Sequence, residues 1–442
     1  MTGCGPGLWG GPGLWGGPEC TLNRIGDVWR DQTRLSGHHD RIDDLDRFAD
    51  LGLEALRYPV LWERTETAQG VWDWTWPDLR LSRLRSLGVR PIVGLLHHGS
   101  GPAWTHLLDP AFPEGLGRHA ACTAERYSWV RDWTPVNEPL TTARFSALYG
   151  HWYPHRTDER DFWLALLNQI DATRLSMKAI RRVNPAARLV QTEDFGATYG
   201  TAPCASQVRF ENDRRLMTWD LLCGRVTAGH PLFPRLVSFG LGDRLAVISE
   251  DPCPPDVIGM NHYVTSDRFL DHRLDRYPPA SHGANAELAY ADVEAVRAMS
   301  PRLGGWRDHL SRLWDRYGLP LAVTECHIGA EPDEQIRWFH QCWRAASDLS
   351  AEGVTIEAVT TWSLLGAIDW DSLLTRTQGR YEAGAFDVSS GQPVAGDLAR
   401  WLTGLARREA SDPPAGGGWW SHEERRCFHP EIDDPPDGVL AA

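Results

Sequence analysis

Two glutamates, each closing a short strand-like run, are the side chains best suited to do chemistry in this chain. Glu138 lies in Asp132-Trp133-Thr134-Pro135-Val136-Asn137-Glu138-Pro139, and Glu325 in Leu321-Ala322-Val323-Thr324-Glu325-Cys326. A pair of carboxyl groups can split a glycosidic bond, one donating a proton to the leaving oxygen and the other attacking the anomeric carbon. Asn137, directly before the first glutamate, is a side chain that could hold a sugar hydroxyl beside the reacting carbon. For that, the fold must bring both glutamates to one place.

The pattern of elements predicts how. Short apolar runs alternate with amphipathic stretches about eight times, and the runs end near Glu19, Tyr58, His97, Glu138, Glu193, Asn261, Glu325 and Trp362. Helical stretches are predicted over Asp40 to Leu51, Pro77 to Leu87, Phe162 to Val183, Trp306 to Tyr317 and Glu334 to Ala351, several closing on Gly or Asn-Pro. Buried strands alternating with helices imply a parallel sheet with crossovers. Eight units predict an α/β protein, a closed (β/α)8 TIM barrel forming a single domain with loop insertions. The insertions are expected over 143–158, 204–249 and 266–297. In such barrels, chemistry gathers at the C-terminal ends of the strands, where Arg57, His97, Asn137, Glu138, Asn261, Glu325 and Trp362 fall.

The expected boundaries place the barrel over residues 12–410, after a flexible leader over 1–11 and before a C-terminal extension over 411–442. A repeat, Gly5-Pro-Gly-Leu-Trp-Gly10, recurs as Gly11 to Gly16, and the second copy is expected to form the first strand.

The formal charge of -14 argues against nucleic acid as a partner, because phosphate binding needs a basic face. No run of 18 apolar residues exists, so no membrane-spanning helix is expected. The nine cysteines form no Cys-x-x-Cys pair and suggest reduced thiols. With no signal-peptide pattern at the start, a cytoplasmic protein is expected. The 22 tryptophans fit a sugar-binding protein, since indole faces stack on sugar rings, although most are expected to pack the core.

These motifs resemble the family-1 glycoside hydrolases, a (β/α)8 family of retaining β-glycosidases, from about Trp15 to about Trp401. The resemblance makes Glu138 in Thr-Pro-Val-Asn-Glu-Pro the acid/base and Glu325 in Thr-Glu-Cys-His the nucleophile. It implies that Arg57, in Leu-Arg-Tyr-Pro-Val-Leu-Trp, orients the nucleophile. Tyr263, in Asn261-His262-Tyr263, would hydrogen-bond it, and Asn137 would hold the 2-hydroxyl. Asn23, His97, Asn261, Trp362, Asp369 and Trp370 would bind the sugar, with Trp362 as its platform. No cofactor and no metal are implied, and the partner is a carbohydrate substrate. The oligomeric state stays open.

Departures from the family pattern are Asn23 for Gln, Asp369 for Glu and Cys326-His327 for Asn-Gly. Two of them shorten side chains that would grip the sugar, so the reaction type is better specified than the sugar. A transglycosylase on the same site and a catalytically silent sugar-binding barrel are the alternatives; the presence of both glutamates argues against the second. A metal-dependent hydrolase would need several His and Asp ligands, and only His97 sits at a strand end. His97 and His98 are expected to point to opposite faces of a strand, which argues against a metal shared between them.

Overall fold

The computed structural model describes residues 11–299 and 304–429. Eight parallel strands close a barrel: β1 (Gly13–Gly16), β2 (Ala55–Pro59), β3 (Arg90–Gly94), β4 (Asp132–Thr134), β5 (Arg188–Asp194), β6 (Val257–His262), β7 (Leu321–Cys326) and β8 (Ile356–Thr361). Each pairs with its neighbours in sequence, and β1 pairs with both β2 and β8. The (β/α)8 barrel expected from the alternation is therefore the observed fold. β1 belongs to the second copy of the Gly-Pro-Gly-Leu-Trp-Gly repeat; the first copy lies outside the described residues.

Two cores result from the period-2 alternation of strand side chains. Trp15, Ala55, Ile92, Val190, Val257, Ala322 and Ala358 pack together inside the barrel. One indole facing three alanines fills a space that eight large side chains could not share. The alternate residues, such as Leu56, Tyr58, Val93 and Val323, join the larger core under the helices. With Ala55 inward and Leu56 and Tyr58 outward, Arg57 is directed into the barrel.

The helices follow the predicted stretches: Asp44–Asp50, Thr75–Leu87, Glu159–Val183, Gly305–Tyr317 and Pro332–Ala351. Gly88 ends the second of these at φ 74°, a left-handed turn that needs no Cβ. The 204–249 segment is not a loop insertion. Its helices Ala205–Arg215, Met217–Leu222, Phe233–Ser238 and Gly242–Glu250 make the crossover from β5 to β6. The 266–297 segment does build an added layer. Its antiparallel strands pair with Thr198–Gly200 in one four-stranded sheet. That sheet covers a small core of its own, including Tyr199, Phe269, Tyr277 and Val293.

Part of the 411–442 extension is packed on the barrel. Trp420 meets the ring of Trp338 edge-on at 5.0 Å, and the Trp419 N–H donates to Glu334. Phe428 lies 5.0 Å from the ring of Tyr277, so the tail also reaches the added sheet.

Candidate active site

Glu325, on β7, is held at both carboxylate oxygens. Arg57 donates to Oε1 at 2.6 Å, and the hydroxyl of Tyr263 donates to Oε2. The same guanidinium donates from Nη1 to the Thr324 carbonyl at 2.9 Å and from Nη2 to Asn137 Oδ1 at 2.5 Å. Its carbon sits 4.7 Å from the centre of the Trp362 ring. One side chain on β2 thus ties together residues from β7, β8 and the loop after β4. Burial raises the Glu325 carboxyl, while the Arg57 charge and the Tyr263 hydroxyl pull it down; the net direction is upward.

Glu138 is buried, and Asn261 Nδ2 donates to its Oε1 at 2.5 Å. Thr324 donates to Asn261 Oδ1 at 2.7 Å, which fixes the amide with its N–H₂ toward Glu138. A register shift between Met260 and Asn261 sets Asn261 opposite Glu325 in the β6–β7 pairing. Irregularities of this kind are common beside active sites, where they re-aim a side chain. Asn261 and Tyr263 are two residues apart and face the same way, one touching Glu138 and the other Glu325. Burial first, then the charges of Glu325, Asp194 and Glu193, push the Glu138 carboxyl well above the usual carboxylate range. Among the described residues, no arginine or lysine touches it. Of the pair, Glu138 is the one suited to hold a proton, and Glu325 the one suited to carry the charge.

The backbone at Glu138 is left-handed, φ 45°, immediately before the helix Pro139–Ala143. A non-glycine residue there costs of order 1–3 kcal/mol and persists only where its surroundings enforce it. Glu193, closing β5, supplies part of that enforcement. Its carboxylate accepts the N–H groups of Leu140 at 2.8 Å and Thr141 at 3.2 Å and the Thr218 hydroxyl at 2.6 Å. The position of Glu193 at a strand end was legible in the sequence; its grip on the turn after Glu138 was not.

The two histidines correct the sequence reading. They do not point to opposite faces. His98 has left the strand at φ 56°, and the two rings meet edge-on with centres 4.9 Å apart. Asn137 Nδ2 lies 3.4 Å from His97 Nε2 and 3.3 Å from His98 Nε2. His98 Nδ1 lies 3.0 Å from Thr142 Oγ1, and its Nε2 is 3.7 Å from Glu138 Oε2. Burial, followed by the charge of Arg57, holds His98 down to about 3. Burial, His98 and Arg57 hold His97 well below its ordinary range. Both rings are therefore neutral at pH 7, and each Nε2 can accept from Asn137. His98 joins the candidate site as a neighbour of Glu138; the alternation rule hid it, because that rule stops where the strand does.

Residues expected to bind the sugar divide. Trp362 has the Arg57 guanidinium 4.7 Å from its ring centre and the His97 ring stacked at 5.4 Å with 9° between planes. Asn23 is 1% exposed, and neither its Oδ1 nor its Nδ2 has a partner, as a side chain awaiting a ligand hydroxyl would be. Trp370 has an unpartnered buried Nε1, and its ring meets those of His98 and Trp152. Asp369 is different: both oxygens accept backbone N–H groups, from Gln378 at 3.1 and 3.2 Å and from Arg380 at 2.9 Å. Its carboxylate is occupied by its own loop. Glu19, beyond β1, was not among the expected site residues, yet its Oε2 accepts from Trp362 Nε1 at 3.3 Å and its Oε1 from the Thr21 N–H at 2.8 Å.

Elsewhere, His262, Asp267 and His309 form a buried cluster with ligand-type atoms within 4.8 Å of one another. Its contacts are internal. His309 Nε2 is 3.1 Å from Asp267, Asp267 accepts the Ala197 N–H at 2.6 Å, and His262 Nδ1 donates to the Phe195 carbonyl at 2.8 Å. His262 lies between Asn261 and Tyr263 and faces outward, so the cluster anchors the strand that carries them. Among the described residues, no helix is long and apolar enough to cross a membrane, and eight cysteines are free.

Fold and site together define a class: a (β/α)8 barrel with paired carboxyls at the ends of its fourth and seventh strands. No protein-family model matches the chain. The chain is similar to a phospho-cellobiase of Klebsiella oxytoca, 23% identical over 384 residues that cover 78% of each chain. It is similar to beta-glucosidase 12 of Oryza sativa subsp. indica, 22% identical over 437 residues, 84% of this chain and 81% of the relative. Among solved structures, a family 1 β-glucosidase from Thermotoga maritima superposes with a TM-score of 0.69 at 17% identity, covering 92% of this chain and 100% of that one. The resemblance to family-1 glycoside hydrolases carried by the motifs is thus matched along most of the chain, at low identity.

Proposed function

We propose that this protein is a retaining β-glycosidase, with Glu325 as nucleophile and Glu138 as acid and then base. The observation that carries the reading is the asymmetry of the two carboxyls. Glu325 is held as an anion by Arg57 and Tyr263, whereas Glu138 meets the amide of Asn261 and no cation.

The two steps follow. A lone pair of Glu325 attacks the anomeric carbon as its bond to the leaving oxygen breaks, and Glu138 delivers its proton to that oxygen. Glu138 is then a carboxylate and takes a proton from water as the water oxygen attacks the same carbon and releases Glu325. Two inversions retain the configuration. Asn137 would strengthen its contact with a substrate hydroxyl as charge develops: Arg57 and Thr192 fill its Oδ1, so its N–H₂, held only by the long contacts to His97 and His98, is the group that would meet ligand. The relatives named phospho-cellobiase and beta-glucosidase support the same reaction type. Free cysteines support a reducing, cytoplasmic setting as part of this reading.

The test is hydrolysis of a panel of p-nitrophenyl β-glycosides by wild type and by Glu325→Ala. Activity should vanish in the variant and return with azide as an external nucleophile. Undiminished hydrolysis by Glu325→Ala would sink the assignment.

A further inference from the structure

We propose that Glu19 is the residue that reads the glycone, and that the glycone it selects carries a protonated amine. The proposal rests on the glycosidase reading of the same pocket and goes beyond it in naming the substrate class.

Three observations lead there. First, the acidic side chain expected to grip the sugar, Asp369, has both oxygens committed to the backbone of its own loop. Second, Glu19 stands at the sugar platform instead. It is buried, its Oε2 accepts from the indole N–H of Trp362 at 3.3 Å, and its Oε1 lies 4.0 Å from His97 Nε2. Two hydrogen bonds leave a carboxylate with about half of its roughly four acceptor positions unused. Third, Glu19 has no charged partner of its own among these residues. With Glu138 holding its proton, the Arg57 guanidinium is committed to Glu325 and the two offset each other. His97 and His98 are both neutral and add no positive charge.

Glu19 and His97 are thus not an ion pair: burial pushes the Glu19 carboxyl up, and His97 down. A ligand ammonium at this position would restore the charge on Glu19 and give it a charge-assisted partner, the stronger kind of hydrogen bond. A phosphorylated glycone would meet three carboxyls and no uncommitted cation among these residues. This sets the pocket apart from what the name phospho-cellobiase says of that relative.

The experiment compares p-nitrophenyl β-glucosides bearing a free amine at each ring position in turn, the parent glucoside and its phosphorylated counterpart. Wild type and the isosteric Glu19→Gln are assayed at a pH where the amine is protonated. At least one amino-glycoside should exceed the parent in kcat/KM by about tenfold or more in wild type, as one charge-assisted hydrogen bond allows. The preference should collapse in Glu19→Gln, and the phosphorylated substrate should be the poorest. No amine preference in wild type, or one that survives Glu19→Gln, overturns the proposal. Calorimetric binding of the free amino sugars and of glucose keeps the test independent of turnover. Tighter amine binding that needs Glu19 supports the proposal even if Glu325→Ala overturns the glycosidase mechanism. Equal binding sinks it even if that mechanism stands.

Discussion

Glu193 accepts the backbone N–H of Leu140 at 2.8 Å and thereby fixes the turn that begins at Glu138. Glu138 is placed by a second, fully buried carboxyl from the next strand. Burial raises that carboxyl to about 7, against the hydrogen bonds from Thr218, Leu140 and Thr141 that lower it.

Replacing Glu193 by Ala should destabilise the protein by about 2–5 kcal/mol, because three backbone donors and a hydroxyl lose their buried acceptor. It should also lower kcat, since Glu138 would no longer be held in its left-handed conformation. Linkage gives a sharper check. A carboxyl raised from 4.5 to about 7 contributes stability below about pH 4.5, and that contribution is lost as pH rises through about 7. Glu193→Gln stays neutral throughout, so the wild-type advantage in Tm over this variant should shrink across that window. A difference independent of pH would show that Glu193 does not titrate there.

Arg57→Lys should lower kcat/KM by about tenfold to a hundredfold, the worth of one charged hydrogen bond whose geometry a single ammonium cannot reproduce. The pH profile distinguishes this from a packing defect. Arg57 pulls the Glu325 carboxyl down; in Arg57→Gln, which removes the charge that Arg57→Lys keeps, the carboxyl rises and stays protonated to higher pH. The acidic limb of the kcat/KM profile should therefore move to higher pH. An acidic limb that stays in place while activity falls would mean that Arg57 does not set the charge of Glu325.

The barrel and the placing of Glu138 and Glu325 at strand ends were legible because both are written in local sequence. The strand runs are short and apolar, each closes on a polar residue, and the helices between them carry their own stops. Asn261 and Tyr263 could be placed on one face by period-2 spacing alone, and β6 keeps that period to His262. His98 could not, because its direction depends on a positive φ just past the strand. The 204–249 segment read as an insertion because its helices are short and interrupted by Gly and Pro, which hid the crossover. Glu19 was visible only as a strand end. Its approach to Trp362 spans 343 residues of chain, and no local pattern encodes it.

Asp369 gives the clearest choice between two roles for one side chain. Its backbone is left-handed at φ 59°, its N–H donates to the Arg380 carbonyl at 2.8 Å, and its carboxylate closes the same loop from inside. If holding that loop is its work, Asp369→Ala should cost about 2–4 kcal/mol. Lost charge-assisted hydrogen bonds supply part of this, and a Cβ without a compensating local contact in left-handed backbone supplies the rest. Asp369→Asn tolerates that backbone and keeps one acceptor oxygen, so it should lose less stability and leave KM within about threefold of wild type. A residue gripping the sugar would behave in the opposite way. Asp369→Asn would then keep its Tm and raise KM by tenfold or more, because a substrate hydroxyl would lose its charged acceptor. Measuring Tm and KM together on Asp369→Asn decides between the two, and the hydrogen bonds to Gln378 and Arg380 favour a fall in Tm with KM little changed.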